Sequence, residues 1–109
     1  MTSSQLIYCF DIDNTLCRTE GMDYQNSQPF NKRIAKVNSL FEEGHTIKIF
    51  TARGSGSGID WKELTEAQLS RWGVLYHELI MMKPAADFYI DDRAIRDSDF
   101  DWRLDELAE

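Results

Sequence analysis

The sequence predicts an α/β fold in which a mostly parallel sheet is flanked by helices. Short apolar segments of strand length alternate with longer segments whose apolar residues recur every three or four positions. Strand–helix–strand units of this kind have right-handed crossovers, so their strands lie parallel in one sheet. A chain of 109 residues is long enough for one modest core, and we therefore expect a single domain over residues 1–109.

The first strand is predicted at residues 6–10. These residues form a near-continuous apolar run, which is typical of a central parallel strand buried on both faces. Asp11 and Asp13 follow directly, so two carboxylates stand at the carboxyl end of this strand. Residues 17–28 are polar and have no usable periodicity, which indicates a loop or a small flap.

A helix and a second strand are predicted next. Pro29 suits the first turn of a helix, and Gly44 is a suitable stop. The apolar positions with helical spacing between them are Ile34, Val37, Leu40 and Phe41. Residues 46–50 are rich in β-branched and aromatic side chains, which predicts a strand that ends at Thr51.

A glycine- and serine-rich stretch, residues 54–58, precedes the second predicted helix. Its glycines favour a flexible connection, although its amides could also form an anion-binding nest. Asp60 is a good N-cap residue, and Gly73 would end the helix. The side chains expected on the buried face are Trp61, Leu64, Leu69 and Trp72.

Two further strands and a terminal helix complete the prediction. Residues 79–82 form a candidate third strand followed by Lys83, and residues 88–90 a fourth that runs into Asp91. Because Lys83 lies only eight residues before Asp91, and a parallel crossover usually needs a dozen or more, residues 79–82 need not form a regular parallel strand. Residues 98–109 are predicted to form a short helix.

Polar side chains follow the predicted strands, where ligands of open α/β sheets bind. They are Asp11, Asp13, Thr51, Lys83, Asp91 and Asp92. Carboxylates that are brought together repel each other unless they take up protons or hold a cation. Mg²⁺ is a suitable cation because one or two carboxylates and a substrate phosphate commonly bind it.

This set of side chains also suits phosphoryl transfer. A lysine and a threonine hydroxyl can neutralise and orient phosphate oxygens. One carboxylate can attack phosphorus and form an aspartyl-phosphate. A second carboxyl two residues along an extended chain lies on the same side, where it can protonate the leaving group and then activate water.

Charge and composition limit the partners that we expect. The chain has 12 Lys and Arg against 19 Asp and Glu, a formal net charge of -7, which disfavours nucleic acid. Cys9 and Cys17 lack metal-ligand spacing, and free thiols suit a reducing cytoplasm. No apolar run has the length of a signal peptide or a membrane span, so we expect a cytoplasmic protein without a membrane partner.

Four segments in this order resemble the signature motifs of the haloacid dehalogenase (HAD) superfamily of phosphatases and phosphotransferases. They are "DIDNTL", "TARG", the lysine of "MMKPAAD" and "YIDDR", and they lie within residues 6–97. The resemblance implies a Rossmann-like HAD core. Because its first motif has a second Asp, the chain is similar to the phosphatase and mutase members rather than to the dehalogenases, which lack this residue.

The resemblance implies a role for each matching residue. Asp11 would be the nucleophile and a metal ligand, and Asp13 the general acid and base, with its backbone carbonyl also on Mg²⁺. Thr51 and Lys83 would bind phosphate, and Arg53 either binds phosphate or pairs with a carboxylate. The remaining metal ligands would be Asp91 and Asp92, directly or through water, with Asp97 at a looser acidic position.

The motif spacing leaves no room for a large cap domain, so the chain resembles a capless member. Capless members either accept large substrates at an open cleft or form oligomers that cover the site. We expect a small phosphorylated substrate such as a sugar phosphate, with a phosphorylated macromolecule as the second choice. The segment "KPAAD…YIDDRA" also resembles the corresponding segment of small phosphatases encoded beside polysaccharide biosynthesis genes.

Three other functions share parts of this pattern. A phosphomutase or phosphotransferase would use the same residues and differ only in the phosphate acceptor. A receiver domain also gathers acidic residues, Thr and Lys on a parallel sheet, but its motifs come in the reverse order. A HAD-like domain that only binds phosphate would usually have lost a nucleophile or metal carboxylate, and none is missing here.

Overall fold

The computed structural model describes residues 4–104 and has a small α/β fold. Its main sheet has three parallel strands in the order β1-β4-β5: β1 (Ile7–Phe10), β4 (Thr46–Phe50) and β5 (Glu78–Ile80). Between β1 and β4 come a small antiparallel ribbon, β2 (Cys17–Arg18) with β3 (Gln28–Pro29), and helix α1 (Asn31–Glu42). Helix α2 (Lys62–Arg71) connects β4 to β5.

The core lies between the sheet and the two helices. Its buried members include Phe10, Ile47 and Ile49 from the sheet, Val37 from α1 and Leu69 from α2. The alternation in β4 buries Ile47 and Ile49 and leaves Thr46, Lys48 and Phe50 half-buried, as expected for a strand whose successive side chains point to opposite faces. The predicted α/β class with a mostly parallel sheet is therefore confirmed.

Helix α1 begins two residues later than Pro29, because Pro29 pairs with Cys17 in the ribbon. The predicted stop is correct: Gly44 has a φ of +99°, a conformation that glycine adopts without strain. The segment 17–28 is predicted to be a loop or a flap. With Pro29 it contains the two ribbon strands and a 3₁₀ turn, Tyr24–Asn26. We call residues 17–29 the flap.

Helix α2 lies close to its predicted position. The Asp60 carboxylate accepts a hydrogen bond from the Lys62 backbone N–H at 3.0 Å, so Asp60 supports the start of the helix. The buried face differs from the prediction, because Thr65 and Gln68 are buried beside Leu69. Trp61, Leu64 and Trp72 are only partly buried.

The prediction of a central first strand is wrong. Within residues 4–104, β1 pairs only with β4, so it lies at one edge of the main sheet. Leu6 and Ile7, at the start of this strand, are 50% and 68% exposed. Aromatic residues of the C-terminal segment cover the other end of this strand: the rings of Phe100 and Trp102 lie 5.7 and 5.9 Å from the ring of Phe10.

The third predicted strand forms as the parallel strand β5, and the fourth does not form. Residues 88–90 have no regular structure, and Phe88 and Ile90 are 81% and 97% exposed. The short connection after β5 explains this, because it holds neither the helix nor the dozen residues that a parallel crossover needs. Met82, with a φ of +69°, turns the chain out of the strand direction just before Lys83.

The terminal helix predicted over 98–109 is wrong for residues 98–104, which form turns and extended chain. The rest of that prediction, residues 105–109, lies outside the described residues. Phe100 and Trp102 pack against β1 instead of lining a helix face. In residues 4–104, no helix is long and apolar enough to cross a membrane.

Candidate active site

Three predicted site residues meet at the carboxyl ends of the three parallel strands. Asp11 follows β1, Thr51 follows β4, and Lys83 lies three residues after β5. The Lys83 ammonium is 3.9 Å from Oδ1 of Asp11, and the Lys83 backbone N–H donates to the Thr51 carbonyl at 2.8 Å. Residues that are remote in sequence therefore converge because parallel strands end at one edge of the sheet.

Asp11 and Asp13 lie on either side of a buried residue. The side chain between them, Ile12, is fully buried in the core, while the two carboxylates are partly exposed. The Ile12 carbonyl accepts from the N–H groups of Thr15, Leu16 and Cys17 and so closes a tight turn. Burial of Ile12 and this turn hold both carboxylates at the strand end.

Burial raises the pKa of Asp11 above its ordinary value of 3.8. Lys83, the Ile12 N–H and the Thr15 hydroxyl act in the opposite direction, and the negative charge of Asp13 adds to the increase. About a third of the Asp11 side chain remains exposed, at 34%. The Asp11 carboxylate is therefore accessible and less completely solvated than a surface carboxylate.

Asp13 is held by a fully buried arginine. The Arg53 guanidinium donates to both carboxylate oxygens, Nε to Oδ2 at 3.0 Å and Nη2 to Oδ1 at 2.9 Å. The Thr19 hydroxyl donates to Oδ1 at 2.6 Å. The Arg53 side chain is 0% exposed and that of Asp13 is 21% exposed. A two-point pair of this kind fixes the orientation of a carboxylate.

The other partners of Arg53 come from α2 and the flap. Nη1 donates to the Thr65 hydroxyl at 3.0 Å and to the Gln68 amide oxygen at 2.7 Å. The guanidinium carbon lies 4.7 Å from the centre of the Tyr24 ring, a cation–π contact. Sequence reasoning missed Thr65 and Gln68; the available signal was two polar residues on the helix face that carries Leu69.

Thr51 and Arg53 were both predicted to bind phosphate. The Thr51 side chain is fully buried, and its hydroxyl oxygen accepts the Arg53 backbone N–H at 3.2 Å. Arg53 faces Asp13, Thr65 and Gln68, so the carboxylate pairing left open by the sequence is the arrangement observed. A phosphate contact by either residue stays a prediction.

Asp91 and Asp92 contact Arg93, and no contact of theirs with the two aspartates of the first motif is found among residues 4–104. Both are exposed, and the Asp92 side chain is 87% exposed. The Arg93 backbone N–H donates to Asp91 at 2.8 Å and is the main cause of a lowered pKa of that carboxyl. Asp97 pairs with Arg33 at 2.9 Å. Within residues 4–104, no three acidic, histidine or cysteine side chains are grouped so that they could hold a metal ion.

The glycine-rich loop, residues 54–58, anchors the segment that carries Lys83. The Ser55 hydroxyl donates to the Lys83 carbonyl at 2.6 Å. Gly54 has a φ of +85°, and a Cβ there would lie 2.4 Å from the Ile59 carbonyl oxygen. Beside this loop is an open cavity of about 510 Å³ whose walls include Arg53, Trp61, Leu79 and Met82.

The chain is similar to a protein of known structure for which no function is stated. No family model matches the sequence, and no protein with a curated description matches it. The chain is similar to a target protein from Vibrio cholerae of known crystal structure, with a TM-score of 0.77 and 30% identity. The match covers 84% of each chain.

Fold and site together define a small α/β protein with polar side chains at the carboxyl ends of a parallel sheet. At 30% identity over 84% of both chains, the protein belongs to the same family as the Vibrio cholerae protein. The description of that relative states no activity, so the function of this chain is argued from its own residues.

Proposed function

We propose that the protein is a magnesium-dependent phosphomonoesterase of the HAD type, without a cap, that acts through an aspartyl-phosphate on Asp11. The observation that carries the proposal is the 3.9 Å approach of the Lys83 ammonium to Asp11. A cation placed beside the attacking carboxylate would also lie beside the phosphate that this carboxylate attacks. The motif resemblance adds Thr51 as a second phosphate ligand and Asp13 as the general acid and base.

The proposed reaction has two displacements at phosphorus. A carboxylate oxygen of Asp11 attacks phosphorus and forms the acyl-phosphate bond, while the bond to the ester oxygen breaks and Asp13 gives its proton to that oxygen. Asp13 then takes a proton from water, whose oxygen attacks the same phosphorus. Inorganic phosphate leaves and the Asp11 carboxylate is restored.

Lys83 supplies the electrostatic part of the proposal. Its ammonium is partly buried, with 19% of the side chain exposed, and the Tyr89 ring lies 4.3 Å from it. A partly desolvated cation stabilises the negative charge on the phosphoryl oxygens more strongly than a hydrated one does. Asp11 reduces the local positive charge in the free protein, and an arriving phosphate would share Lys83 with it.

Mg²⁺ is part of the proposal on the strength of the motifs, with Asp11, Asp13, Asp91 and Asp92 as its ligands. The arrangement of residues 4–104 does not fit a bound ion, since Asp11 faces Lys83, Asp13 faces Arg53, and no three candidate ligands are grouped there. The nucleophilic attack and the proton transfers are therefore assigned to Asp11 and Asp13. When bound, the ion would neutralise phosphate oxygens.

The proposed substrate is a small phosphorylated metabolite, with a sugar phosphate as the first choice, and nucleic acid is not expected as a partner. The net charge of -7 disfavours nucleic acid as a partner, because like charges repel.

The proposed location is a reducing cytoplasm, and the free thiols of both described cysteines support it. Self-association is a further possibility for a site without a cap, and light scattering tests it directly by giving the molar mass in solution.

The test is phosphate release from an aryl phosphate and a panel of sugar phosphates, with Mg²⁺ and with chelator, by wild type and by Asp11→Asn. We expect the wild type to release phosphate only when Mg²⁺ is present, and we expect Asp11→Asn to show no turnover. Phosphate released by Asp11→Asn at the wild-type rate, or release that chelator leaves unchanged, would contradict the proposal. Phosphate found on an acceptor other than water would indicate the alternative, a phosphomutase or phosphotransferase.

A further inference from the structure

Arg53 is the most completely enclosed charged side chain of the described region. Its guanidinium makes four hydrogen bonds, two to Asp13, one to Thr65 and one to Gln68, and its side chain is 0% exposed. The flat face of the group lies against Tyr24. Every Nη and Nε atom of Arg53 therefore already has a partner, and the guanidinium has no open edge toward solvent.

We infer that Arg53 is a positioning residue that acts through Asp13 and does not bind the substrate phosphate. The inference rests on the proposed function, because it assigns a task to Arg53 in the proton transfers of Asp13. A buried charge that is paired on two edges stays in place, since moving it would leave Asp13 and the guanidinium unpaired in a site with little solvent. General acid catalysis needs this kind of fixed geometry.

The hydrogen bonds at Asp13 also distinguish its two carboxylate oxygens. Oδ1 accepts from the Thr19 hydroxyl and from Nη2 of Arg53, and the Cys17 thiol lies 3.8 Å away. Among residues 4–104, Oδ2 accepts only from Nε of Arg53. Because a carboxylate oxygen has two acceptor positions, Oδ2 keeps a free one, and Oδ2 is therefore the Asp13 oxygen that can still contact an ester oxygen or a water molecule.

The Arg53 cluster connects the flap and α2 to this carboxylate. We define the Arg53 cluster as Asp13, Thr19, Tyr24, Arg53, Thr65 and Gln68. The Gln68 amide donates to the Tyr24 carbonyl, and the Tyr24 ring packs edge-on against Trp61 at 5.0 Å. The Thr19 hydroxyl, besides donating to Asp13, lies 2.6 Å from the Ser27 hydroxyl. The flap thus supports Asp13 from one side and Arg53 supports it from the other.

The experiment compares Arg53→Lys, which keeps the charge and loses the two-point fork, with wild type. We expect kcat on the best substrate of the panel to fall about 100-fold, the size of a general acid contribution. The inhibition constant of inorganic phosphate should stay within about twofold of the wild-type value, because Arg53 does not contact the bound phosphate. Arg103→Lys is the matched control, since Arg103 makes the same two-point contact with Asp101 on the surface, and it should change neither value.

A double-mutant cycle distinguishes positioning from a general loss of structure. If Arg53 acts through Asp13, Arg53→Lys should lower kcat by less than about twofold in an Asp13→Asn background. A general structural defect would lower kcat equally in both backgrounds and would overturn the inference. Thr65→Val, which removes one guanidinium partner and keeps both charges, gives a second cycle if Arg53→Lys does not fold.

The remaining outcomes are also decisive. A large rise in the inhibition constant of phosphate for Arg53→Lys, with kcat little changed, would make Arg53 a phosphate ligand and overturn the inference. That result would leave the proposed function intact. A wild type that releases no phosphate from any ester would instead overturn the proposed function, and the inference with it.

Discussion

At the scale of single residues, Asp11 and Asp13 have opposite environments although they are two positions apart. Asp11 is a partly exposed carboxylate whose pKa is raised by burial, with Lys83 at 3.9 Å. Asp13 is held by the buried guanidinium of Arg53 and by the Thr19 hydroxyl. Pairs of carboxylates with different environments are a recurring basis for separate roles in one reaction.

The first prediction concerns stability and pH. Because the folded protein binds a proton on Asp11 more tightly than the unfolded chain does, stability should fall as pH rises from about 3.8 through the raised folded pKa. Asp11→Asn removes this contribution, so it should be more stable than wild type at pH 7, and the difference should vanish toward low pH. Urea unfolding in chelator at several pH values measures both effects.

Asp13→Asn is the matched comparison for that experiment. It leaves the buried Arg53 guanidinium without its counter-charge, and we expect it to destabilise the protein by about 3 kcal/mol at pH 7. A stabilising Asp13→Asn or a destabilising Asp11→Asn at pH 7 would show that the two environments have been described the wrong way round.

The second prediction concerns the two thiols. Cys9 is exposed on β1, whereas Cys17 is fully buried beside Thr19. Burial raises the pKa of both thiols, so neither is an activated thiolate at pH 7. With a disulfide reagent, the native protein should show one reacting thiol, and the denatured protein two. Cys9→Ser should abolish the native reaction, and Cys17→Ser should leave it unchanged; the reverse pattern would refute the assignment.

At the scale of elements, the glycine-rich loop has a defined conformation at one of its glycines. Gly54 combines a positive φ with a close approach to the Ile59 carbonyl, whereas nothing lies within 4 Å of a Cβ at Gly56. The loop therefore serves as more than a flexible connection, because it turns back on itself beside the segment that carries Lys83.

The third prediction follows from this difference. Gly54→Ala should destabilise the protein by about 2 kcal/mol, because the side chain strains the backbone and meets a carbonyl oxygen. Gly56→Ala, two residues away, should lie within about 0.5 kcal/mol of wild type. Denaturant unfolding of the two variants measures both values, and equal effects at the two positions would contradict the described loop.

At the scale of the whole molecule, the segment after β5 differs from the rest of the fold. Residues 84–96 are exposed throughout and have no regular secondary structure. The chain then returns to the body of the protein, where Arg33 of α1 pairs with Asp97 at 2.9 Å and stacks over the Trp102 ring at 4.7 Å. The segment is thus an exposed connection between two anchored points.

The fourth prediction tests this description by limited proteolysis. Trypsin should cut the native protein first after Arg93 or Arg96, because an exposed connection fits a protease cleft and a helix does not. Mass spectrometry of the early products identifies the sites. Replacing both arginines with Gln should remove these cuts, while Arg71, at the end of α2, serves as the helical control. Early cutting at Arg71 with residues 84–96 intact would indicate that this segment is packed.

The sequence by itself determined the α/β class, both helices, the parallel strands β1 and β4, and the positions of Asp11 and Thr51 at strand ends. It left open whether the segment before Lys83 is a regular parallel strand, and the structure shows that β5 is one. These features depend on local periodicity and on the rule that parallel strands end at one edge, and both can be read from one chain. The magnesium site, the phosphate ligands and the reaction remain predictions from motif residues.

Only the tertiary structure decided which side chains pair. Arg53 faces Asp13 instead of an open site, and Thr65 and Gln68 are buried to satisfy it. Residues 88–90 stay outside the sheet, so β1 has one strand neighbour among residues 4–104, and Phe100 and Trp102 cover its face without forming a helix. The physical reason is that pairing, edge position and burial depend on contacts between distant segments, which local pattern does not specify.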